Sequence, residues 1–247
     1  MSPTQAPVAI VTGGGTGIGR AVSLKLAEEG CAVVVVYARS ESEALDTVAQ
    51  VRAQGRPGLA IRADVARAED VQRMVAQVVQ NFGHIRYLVN NAGITRQLQF
   101  DDLALVSDEI WDELMAVNVK GTFNCCRAAE PFLRATPGSA IVNIGSIAGE
   151  TGYGSSLPYA VSKAAVHGLT RSLARVLAPQ VRVNCIAPGA VNTRWWAGHE
   201  QKMLALSGHL PLQRISTPQD IAQSVWLLLN ALSVTGQVLR AENGQTL

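Results

Sequence analysis

The sequence lacks the features that would bring a protein to a membrane or to nucleic acid. It has no apolar run near the roughly 20 residues that a transmembrane helix requires. Its first seven residues show no basic stretch followed by an apolar one, as a secretion signal would. The formal net charge is only +2, and no arginine-rich tail or basic stripe is present. We therefore expect a cytoplasmic protein that binds neither membrane nor nucleic acid.

Cysteine and histidine are scarce as well, with four residues of each. The cysteines show no metal-ligand spacing, the adjacent pair at 125 and 126 would point to different sides of a helix, and the histidines are scattered. This pattern predicts reduced thiols in the core and no metal site, which argues against a zinc-dependent enzyme. The residues concerned are Cys31, Cys125, Cys126, Cys185, His84, His167, His199 and His209.

A glycine-rich turn is present near the start of the chain. Residues 8–11 form an apolar run, residues 12–19 read T-G-G-G-T-G-I-G, and helical periodicity follows. Glycines let the backbone approach a ligand closely, and the N-terminus of the next helix offers unpaired N–H groups to a pyrophosphate. A plain loop is the alternative. The placement between a strand and a helix favours a dinucleotide site.

Apolar runs alternate with helical patterns along the whole chain. The pattern predicts strands near residues 8–12, 32–37, 58–62, 85–90, 139–144, 181–187 and 237–240, and helices near residues 17–29, 41–54, 68–82, 107–135, 158–178 and 218–229. Such alternation is typical of a parallel sheet with helices on both faces. We expect an α/β fold with a single domain over residues 1–247, a Rossmann-type doubly wound sheet of about seven strands, and a substrate lid at about residues 190–217.

Tyr159 and Lys163 stand four residues apart, thirteen residues after Ser146. Residues at i and i+4 share a helix face, so a cation at Lys163 would lower the pKa of Tyr159 and let the phenol exchange a proton near neutral pH. The pair by itself is a weak signal, because a tyrosine and a lysine on one helix face are usually surface residues. The surrounding motifs strengthen the catalytic interpretation of this pair.

These motifs follow one another in the order and spacing of a known family, over essentially the whole chain. They are the turn at residues 12–19, Asp64 with Val65, the N-N-A-G run at residues 90–93, Asn118, Ser146, Tyr159 with Lys163, and Pro188 with Gly189. On these residues the sequence resembles the short-chain dehydrogenase/reductase family. Residues 91–96 and 117–123 also resemble motifs of its 3-oxoacyl-(acyl carrier protein) reductase-like branch.

The resemblance implies metal-free hydride transfer between a nicotinamide and a carbonyl or alcohol carbon. Ser146 would hydrogen-bond the substrate oxygen, Tyr159 would exchange its proton, and Lys163 would hold the nicotinamide ribose and lower the Tyr159 pKa. Asn118, on a helix that the family distorts locally, would extend a proton path through its backbone carbonyl. The implied cofactor contacts are Gly13, Gly15, Thr16, Gly17, Ile18, Gly19, Arg39, Ser40, Asp64, Val65, Asn91, Ala92, Gly93, Tyr159, Lys163, Pro188, Gly189, Val191 and Thr193.

The end of the second predicted strand bears on the choice of cofactor. It has no acidic residue to bind a ribose 2′-OH, and Arg39 lies twenty residues past Gly19, where it could meet a 2′-phosphate. We therefore predict that NADP(H) is preferred, with NAD(H) as the alternative. Thr16, at a position that is often basic in NADP-using relatives, and the nearby acidic residues at 41 and 43 weigh against this. Asp64 is implied to face the adenine, but its position would equally suit a helix cap.

The resemblance also bears on partners. It implies a homotetramer built on the helices predicted at 107–135 and 158–178 and on the terminal strand region, where residues 240–244 depart from the family's usual acidic-Gly-Gly finish.

An acyl carrier protein would need a basic patch, but residues 136–139 and 178–180 carry no positive charge. Arg134, Arg171 and Arg175 are close by, so a carrier-dependent 3-oxoacyl reductase is the runner-up to a reductase of small carbonyl or alcohol substrates. The alternative of another class is a non-catalytic, dinucleotide-binding regulatory protein.

The expected lid contains an apolar and aromatic set, namely Trp195, Trp196, His199, Met203, Leu204 and Leu206. Ordinary packing or an interface would also explain such residues. From their place after the sixth strand, we predict that at least one of them contacts the substrate and favours a compact or flat apolar carbonyl compound.

Overall fold

The computed structural model of the protein describes residues 6–196, 198 and 200–247. Within these residues, seven strands form one sheet: β1 Val8–Thr12, β2 Ala32–Tyr37, β3 Gly58–Arg62, β4 Tyr87–Asn90, β5 Ser139–Ile144, β6 Val181–Pro188 and β7 Val238–Ala241. Their order is β3-β2-β1-β4-β5-β6-β7, and every neighbouring pair is parallel. The predicted parallel, Rossmann-type sheet is confirmed.

Helices connect the strands. They are α1 Gly17–Glu28, α2 Glu41–Ala53, α3 Ala68–Phe82, α4 Asp108–Leu114, α5 Thr122–Ala135, α6 Ala148–Thr151, α7 Leu157–Leu177, α8 Glu200–Ser207 and α9 Pro218–Asn230. A π-helical turn, Met115–Gly121, joins α4 to α5, and 3-10 turns lie at Leu103–Leu105 and Arg194–Trp196. In the described part of the chain, no helix is both long and apolar enough to span a bilayer.

The helices bury both faces of the sheet. One face packs against α1, α2 and α9, and the other against α3, α5 and α7. Successive β1 residues alternate between the two layers, with Val11 in the first and Ile10 in the second. Burial of each such side chain contributes about 1.5–3 kcal/mol to the free energy of unfolding. All four cysteines are free thiols buried in the protein, as the sequence predicts.

Two stretches differ from the prediction. The helix expected over residues 107–135 contains the π-helical turn, which interrupts regular α-helical hydrogen bonding at Asn118. The stretch 190–217 is less irregular than expected, because it holds the turn Arg194–Trp196 and α8. The short α6 was not predicted either, since four residues are too few to show a period.

The strand order places the candidate site. β1 lies between β2 and β4, so the connections run in opposite directions across the sheet on its two sides. Ligands of such sheets bind in the crevice at the carboxyl ends of the strands near this reversal. The glycine turn, residues 90–93, Ser146 and the turn after β6 all follow carboxyl ends of strands, so the sheet gathers the sequence motifs at one edge.

Candidate active site

The first turns of α7 position Tyr159 and Lys163. Ser156 caps this helix by accepting a hydrogen bond from the backbone N–H of Tyr159 at 3.4 Å. The Lys163 ammonium lies 5.7 Å from the centre of the Tyr159 ring, so the two side chains share a helix face as predicted. Lys163 is buried, and its Nζ donates to the carbonyl oxygen of Ile144 at 2.8 Å. The lysine therefore ties α7 to the end of β5.

Ser146 and burial act on the pKa of the Tyr159 hydroxyl in opposite directions. Burial of this hydroxyl raises the pKa of Tyr159 to about 12, while the hydrogen bond with Ser146 acts in the opposite direction. Burial lowers the pKa of Lys163 to about 8. The net shift of the Tyr159 pKa in the protein alone is therefore upward, and the lowering by Lys163 that the sequence led us to expect stays a prediction.

Asn118 holds the loop after β4 against α7. Its side chain accepts a hydrogen bond from the N–H of Ile94 at 2.9 Å and donates to the carbonyl oxygen of Ile94 at 3.0 Å and to Ser162 at 2.9 Å. Ser162 in turn donates to the carbonyl oxygen of Tyr159 at 2.7 Å. The π-helical turn at Asn118 is the local distortion that the resemblance implied. Ser162, which no sequence motif singled out, links Asn118 to the tyrosine.

A glycine keeps this part of the site compact. A Cβ on Gly93 would lie 3.3 Å from the Asn118 amide oxygen and 3.6 Å from the Lys163 ammonium. The structure thus brings the loop after β4, the π-helical turn and α7 together around the predicted catalytic residues.

The glycine turn is held by the end of β4. A Cβ on Gly19 would lie 2.1 Å from the carbonyl oxygen of Gly13 and 2.5 Å from the Asn91 amide nitrogen. That amide donates to the carbonyl oxygens of Thr12 and Gly13 at 2.9 and 3.1 Å. The Thr12 hydroxyl accepts from the backbone N–H groups of Asn91 and Ala92, both at 3.0 Å. Thr12 belongs to the turn motif, but nothing in the sequence pattern indicates this bridging role.

The start of α1 fits a dinucleotide pyrophosphate. Gly13 and Gly17 have φ values of 62° and 51°, which favour glycine. Thr16 is the N-cap and forms no side-chain capping bond, so N–H groups in the first turn, including that of Ile18, are available to an anion. Gly15 instead approaches α2, where an added Cβ would lie 2.8 Å from the nitrogen of Ala44.

An arginine-rich cavity of about 500 Å³ lies at the ends of β2 and β3. Its lining residues are Ala38, Arg39, Arg62, Asp64, Arg67, Asp70 and Arg73. Asp70 forms ion pairs with Arg67 at 3.5 Å and with Arg73 at 2.6 Å. Among the residues that the structure describes, Arg39 and Arg62 form no ion pair. Two guanidinium groups are therefore available to an anionic ligand.

Asp64 and Val65 lie beside this cavity in different surroundings. The N-cap of α3 is Arg67, so the helix-cap interpretation of Asp64 is wrong. Asp64 is exposed, and its carboxylate accepts the local N–H of Ala66 at 3.0 Å. Val65 is buried, and its carbonyl oxygen accepts from Asn124 at 2.9 Å. Asp64 remains available to an adenine amino group, whereas the Val65 side chain belongs to the core.

The turn after β6 borders the opposite side of the crevice. A Cβ on Gly189 would lie 2.6 Å from the Gln245 amide oxygen, which also accepts from the N–H of Ala190 at 3.2 Å. The C-terminal segment thus braces this turn, a role that the sequence did not reveal. Val191 is buried and pairs with Ser216. Thr193 reaches the glycine turn, where a Cβ on Gly17 would lie 3.5 Å from its methyl group.

Trp195, in the stretch predicted to form a lid, contacts the ring of Tyr159. Its ring centre lies 5.9 Å from that of Tyr159, and the side chain is 39% exposed. Trp196 and Leu206 are half-buried, and Met203 is buried. His199 lies outside the described residues, as does the side chain of Leu204.

Arg194, next to Trp195, was not singled out from the sequence. Its guanidinium donates to the Ser40 hydroxyl at 3.4 Å and lies 3.7 Å from a Glu43 carboxylate oxygen. Ser40 and Glu43 follow β2 beside Arg39, so the turn after β6 spans the crevice.

Comparison with known proteins agrees with this geometry. A family model described as short chain dehydrogenase matches residues 7–203. The 3-oxoacyl-[acyl-carrier-protein] reductase FabG of Staphylococcus aureus is 39% identical over 241 residues, 96% of each chain. A solved short-chain dehydrogenase/reductase from Serratia marcescens has a TM-score of 0.90 at 34% identity and full coverage of both chains. The NADH-dependent reductase A1-R′, responsible for alginate metabolism, has a TM-score of 0.87 at 27% identity over 98% of each chain.

The matched family covers most of the chain, and the relatives match it nearly end to end. The glycine turn, Ser146, Tyr159 and Lys163 lie at the carboxyl edge of the sheet, where the sequence predicted a site. The chain therefore belongs to the short-chain dehydrogenase/reductase family, whose members are oxidoreductases that act on CH–OH or C=O groups with a nicotinamide dinucleotide.

Proposed function

We propose that this protein is an NADP(H)-dependent oxidoreductase that transfers a hydride between the nicotinamide and a carbonyl or secondary alcohol substrate. Ser146, Tyr159, Lys163 and Asn118 form its catalytic site. The observation on which this rests is the buried Tyr159 hydroxyl, whose pKa Ser146 lowers, with the Lys163 ammonium 5.7 Å from the centre of the Tyr159 ring. The cofactor supplies or accepts the hydride when bound, and the protein orients it and handles the proton.

Ser146 and Tyr159 act on the substrate oxygen. The serine hydroxyl holds that oxygen beside the phenol, which burial keeps protonated at neutral pH. In the reductive direction Tyr159 donates its proton to the oxygen as negative charge develops there. General acid assistance of this kind contributes about 10²- to 10⁴-fold in rate.

Lys163 and Asn118 support the tyrosine. The Lys163 ammonium has three N–H donors and spends one on Ile144, which leaves two for the nicotinamide ribose. Its lowered pKa, about 8, lets it release and regain a proton near neutral pH. The Asn118 carbonyl oxygen accepts from Thr122 at 2.8 Å and has a second acceptor position for a water-mediated proton path.

The preference for NADP(H) is supported by the arginine-rich cavity. Arg39 and Arg62 line it without carboxylate partners among the described residues, and a 2′-phosphate suits a guanidinium through paired, charge-assisted hydrogen bonds. The acidic residues that follow β2 are engaged elsewhere, since Glu41 accepts from the Tyr37 hydroxyl at 2.8 Å and Glu43 lies beside Arg194.

Cofactor preference is tested by steady-state kinetics with NADPH and NADH on a panel of ketones. We expect a higher kcat/KM with NADPH, and Arg39→Ala should raise the KM for NADPH by about tenfold while changing that for NADH little. Equal or better efficiency with NADH would overturn the assignment. Cofactor binding without turnover of any ketone would instead favour the non-catalytic regulatory protein.

A second candidate is the 3-oxoacyl-(acyl carrier protein) reductase, favoured by the similarity to the Staphylococcus aureus enzyme. The charged residues near the expected docking region of the carrier protein give this candidate little support. Arg134 is already engaged with Glu130, with Gln180 at 2.7 Å and with the carbonyl oxygen of Val176 at 2.7 Å. The two candidates are separated by comparing an acyl carrier protein thioester with the same acyl group on a small thiol. A large gain from the carrier would establish the second.

The assembly and the lid also belong to this proposal. A cavity of about 590 Å³ lies on the outer face of the π-helical turn, α5 and α7 and is lined by Asp112, Met115, Ala116, Val119, Lys120, Phe123 and Leu169. Its mostly apolar lining supports a homotetramer in which this face is covered by another subunit. Residues 190–217 form the lid of a single domain over residues 1–247.

A further inference from the structure

One short turn contacts both ends of the crevice. Trp195 lies against the ring of Tyr159, and its neighbour Arg194 reaches Ser40 and Glu43 at the start of α2. Arg194 and Ser40 are 154 residues apart in the chain. Both side chains stand on the same 3-10 turn, one peptide unit apart.

The contacts of Arg194 are weak and exchangeable. The Arg194 and Glu43 side chains are 63% and 46% exposed and lie 3.7 Å apart. Exposed ion pairs of this kind contribute about 0–1 kcal/mol. The hydrogen bond to Ser40 is long at 3.4 Å. A ligand with stronger acceptors would therefore displace Glu43 at little cost.

The position of Arg194 favours a phosphate group. Ser40 is the N-cap of α2 and makes no side-chain capping bond, so the first turn of that helix has unpaired N–H groups and a partial positive charge. Arg39 immediately precedes it and forms no ion pair among the described residues. Ser40 therefore has one arginine immediately before it in the chain and a second, Arg194, in contact with its hydroxyl.

We propose that Arg194 binds the 2′-phosphate of NADP(H) from the lid and thereby positions Trp195 over Tyr159. This inference rests on the proposed NADP(H) preference. The phosphate replaces Glu43 as the partner of Arg194, because a phosphate offers more charge and a bidentate acceptor. The phosphorylated cofactor is then recognised twice, by Arg39 at the end of β2 and by Arg194 on the lid, and the second contact orders the substrate side of the site.

Binding of cofactor fragments tests the contact without any turnover. Titration calorimetry would compare adenosine 2′,5′-bisphosphate with adenosine 5′-monophosphate on the wild-type protein, Arg194→Gln and Arg194→Lys. Arg56→Gln is the matched control, because Arg56 is an exposed arginine that precedes β3 at the opposite end of the strand. We expect Arg194→Gln to weaken the bisphosphate by about tenfold and to leave the monophosphate unchanged, with partial recovery in Arg194→Lys.

Kinetics test the coupling to the lid. With saturating NADPH, Arg194→Gln should raise the KM for a ketone, whereas with saturating NADH it should not. Arg39→Gln should raise the KM for NADPH. The Arg56→Gln control should match the wild-type protein in both assays.

The outcomes separate this inference from the proposed function. If the wild-type protein binds the bisphosphate no more tightly than the monophosphate, the NADP(H) preference fails and this inference fails with it. If the wild-type protein prefers the bisphosphate and Arg194→Gln keeps that preference in full, only the role of Arg194 is overturned. If Arg194→Gln lowers the affinity for both nucleotides equally, Arg194 acts on the lid and does not bind the 2′-phosphate.

Discussion

At the scale of single residues, burial decides the chemistry of the candidate site. The same removal from water raises the pKa of Tyr159 to about 12 and lowers that of Lys163 to about 8. At neutral pH the tyrosine is a protonated donor, and the lysine titrates only slightly above that pH. These protonation states suit the proposed mechanism, in which Tyr159 is the acid that meets the substrate and Lys163 is the cation that restores its proton.

Replacement of Tyr159 by phenylalanine should abolish turnover and leave NADPH affinity nearly unchanged, because the variant loses one hydroxyl and keeps the ring. Lys163→Ala should reduce both, since it loses the ribose contact as well as the cation. Cofactor affinity by fluorescence and turnover would be measured on the same preparations. Tyr153→Phe is the matched control, because this tyrosine is 70% exposed. Substantial activity in Tyr159→Phe would mean that another group donates the proton.

Lys163 should also make the free energy of unfolding depend on pH. Its folded pKa of about 8 lies below the ordinary value of 10.5, so between these pH values the unfolded chain binds more protons. The contribution of Lys163 to the free energy of unfolding therefore rises with pH across this window, by on the order of 1 kcal/mol per pH unit. Below pH 8 the buried charge destabilises the fold.

Lys163→Met removes that charge. We expect the inactive variant to be more stable than the wild-type protein at pH 7, with an advantage that shrinks as the pH rises from 8 towards 10. Urea unfolding at several pH values would measure it. A stability difference that stays constant with pH would contradict the buried, titrating lysine.

At the scale of elements, loops that leave the sheet edge meet through a few hydrogen bonds. Thr12 and Asn91 join the ends of β1 and β4, and Asn118 joins the loop after β4 to α7 through Ser162. A π-helical turn provides the wider backbone at Asn118 that a regular helix would not. The 3-10 turn after β6 meets α7 through the ring contact of Trp195 with Tyr159.

The lid tryptophan should therefore influence substrate choice. We expect Trp195→Ala to improve kcat/KM for bulky ketones relative to small ones, because removal of the indole opens space beside Tyr159, while NADPH affinity changes little. Trp196→Ala is the comparison. Among the described residues, Trp196 makes no ring contact with Tyr159. The measurement is a ranking of ketones by size for all three proteins. An unchanged ranking with lower stability would show that Trp195 is only structural.

At the scale of the whole molecule, the apolar face on the π-helical turn, α5 and α7 bears on assembly. Phe123 is 39% exposed on this face. A charge there would be buried in the proposed tetramer but solvated in a monomer, so Phe123→Asp should dissociate the assembly without unfolding the subunit. Light scattering after gel filtration would report the mass relative to the 26.2 kDa chain. Leu45→Asp, at a site 54% exposed on α2 and away from both expected interfaces, is the control. A wild-type monomer would overturn the proposed tetramer.

The amino-acid sequence was sufficient to predict the parallel sheet, because runs such as the four valines of β2 and the helical periodicity between strands are local patterns. It also predicted which residues collect at the carboxyl edge, since motif order along the chain maps onto the ends of parallel strands. The apolar pattern over residues 107–135 is that of a continuous α-helix, so it did not reveal the π-helical turn. Only the family resemblance implied a distortion at Asn118.

Tertiary structure alone decided the rest. The direction of the Tyr159 pKa shift depends on every neighbour that excludes water from the hydroxyl. The total desolvation cannot be inferred from the spacing of residues along the chain. The contact of Arg194 with Ser40 joins residues 154 positions apart and exists only because the turn after β6 crosses the crevice. The sequence by itself therefore determined the scaffold and the kinds of group at its edge. The packing of the chain decided their protonation and which distant side chains act together, because desolvation and long-range contact are properties of the folded molecule.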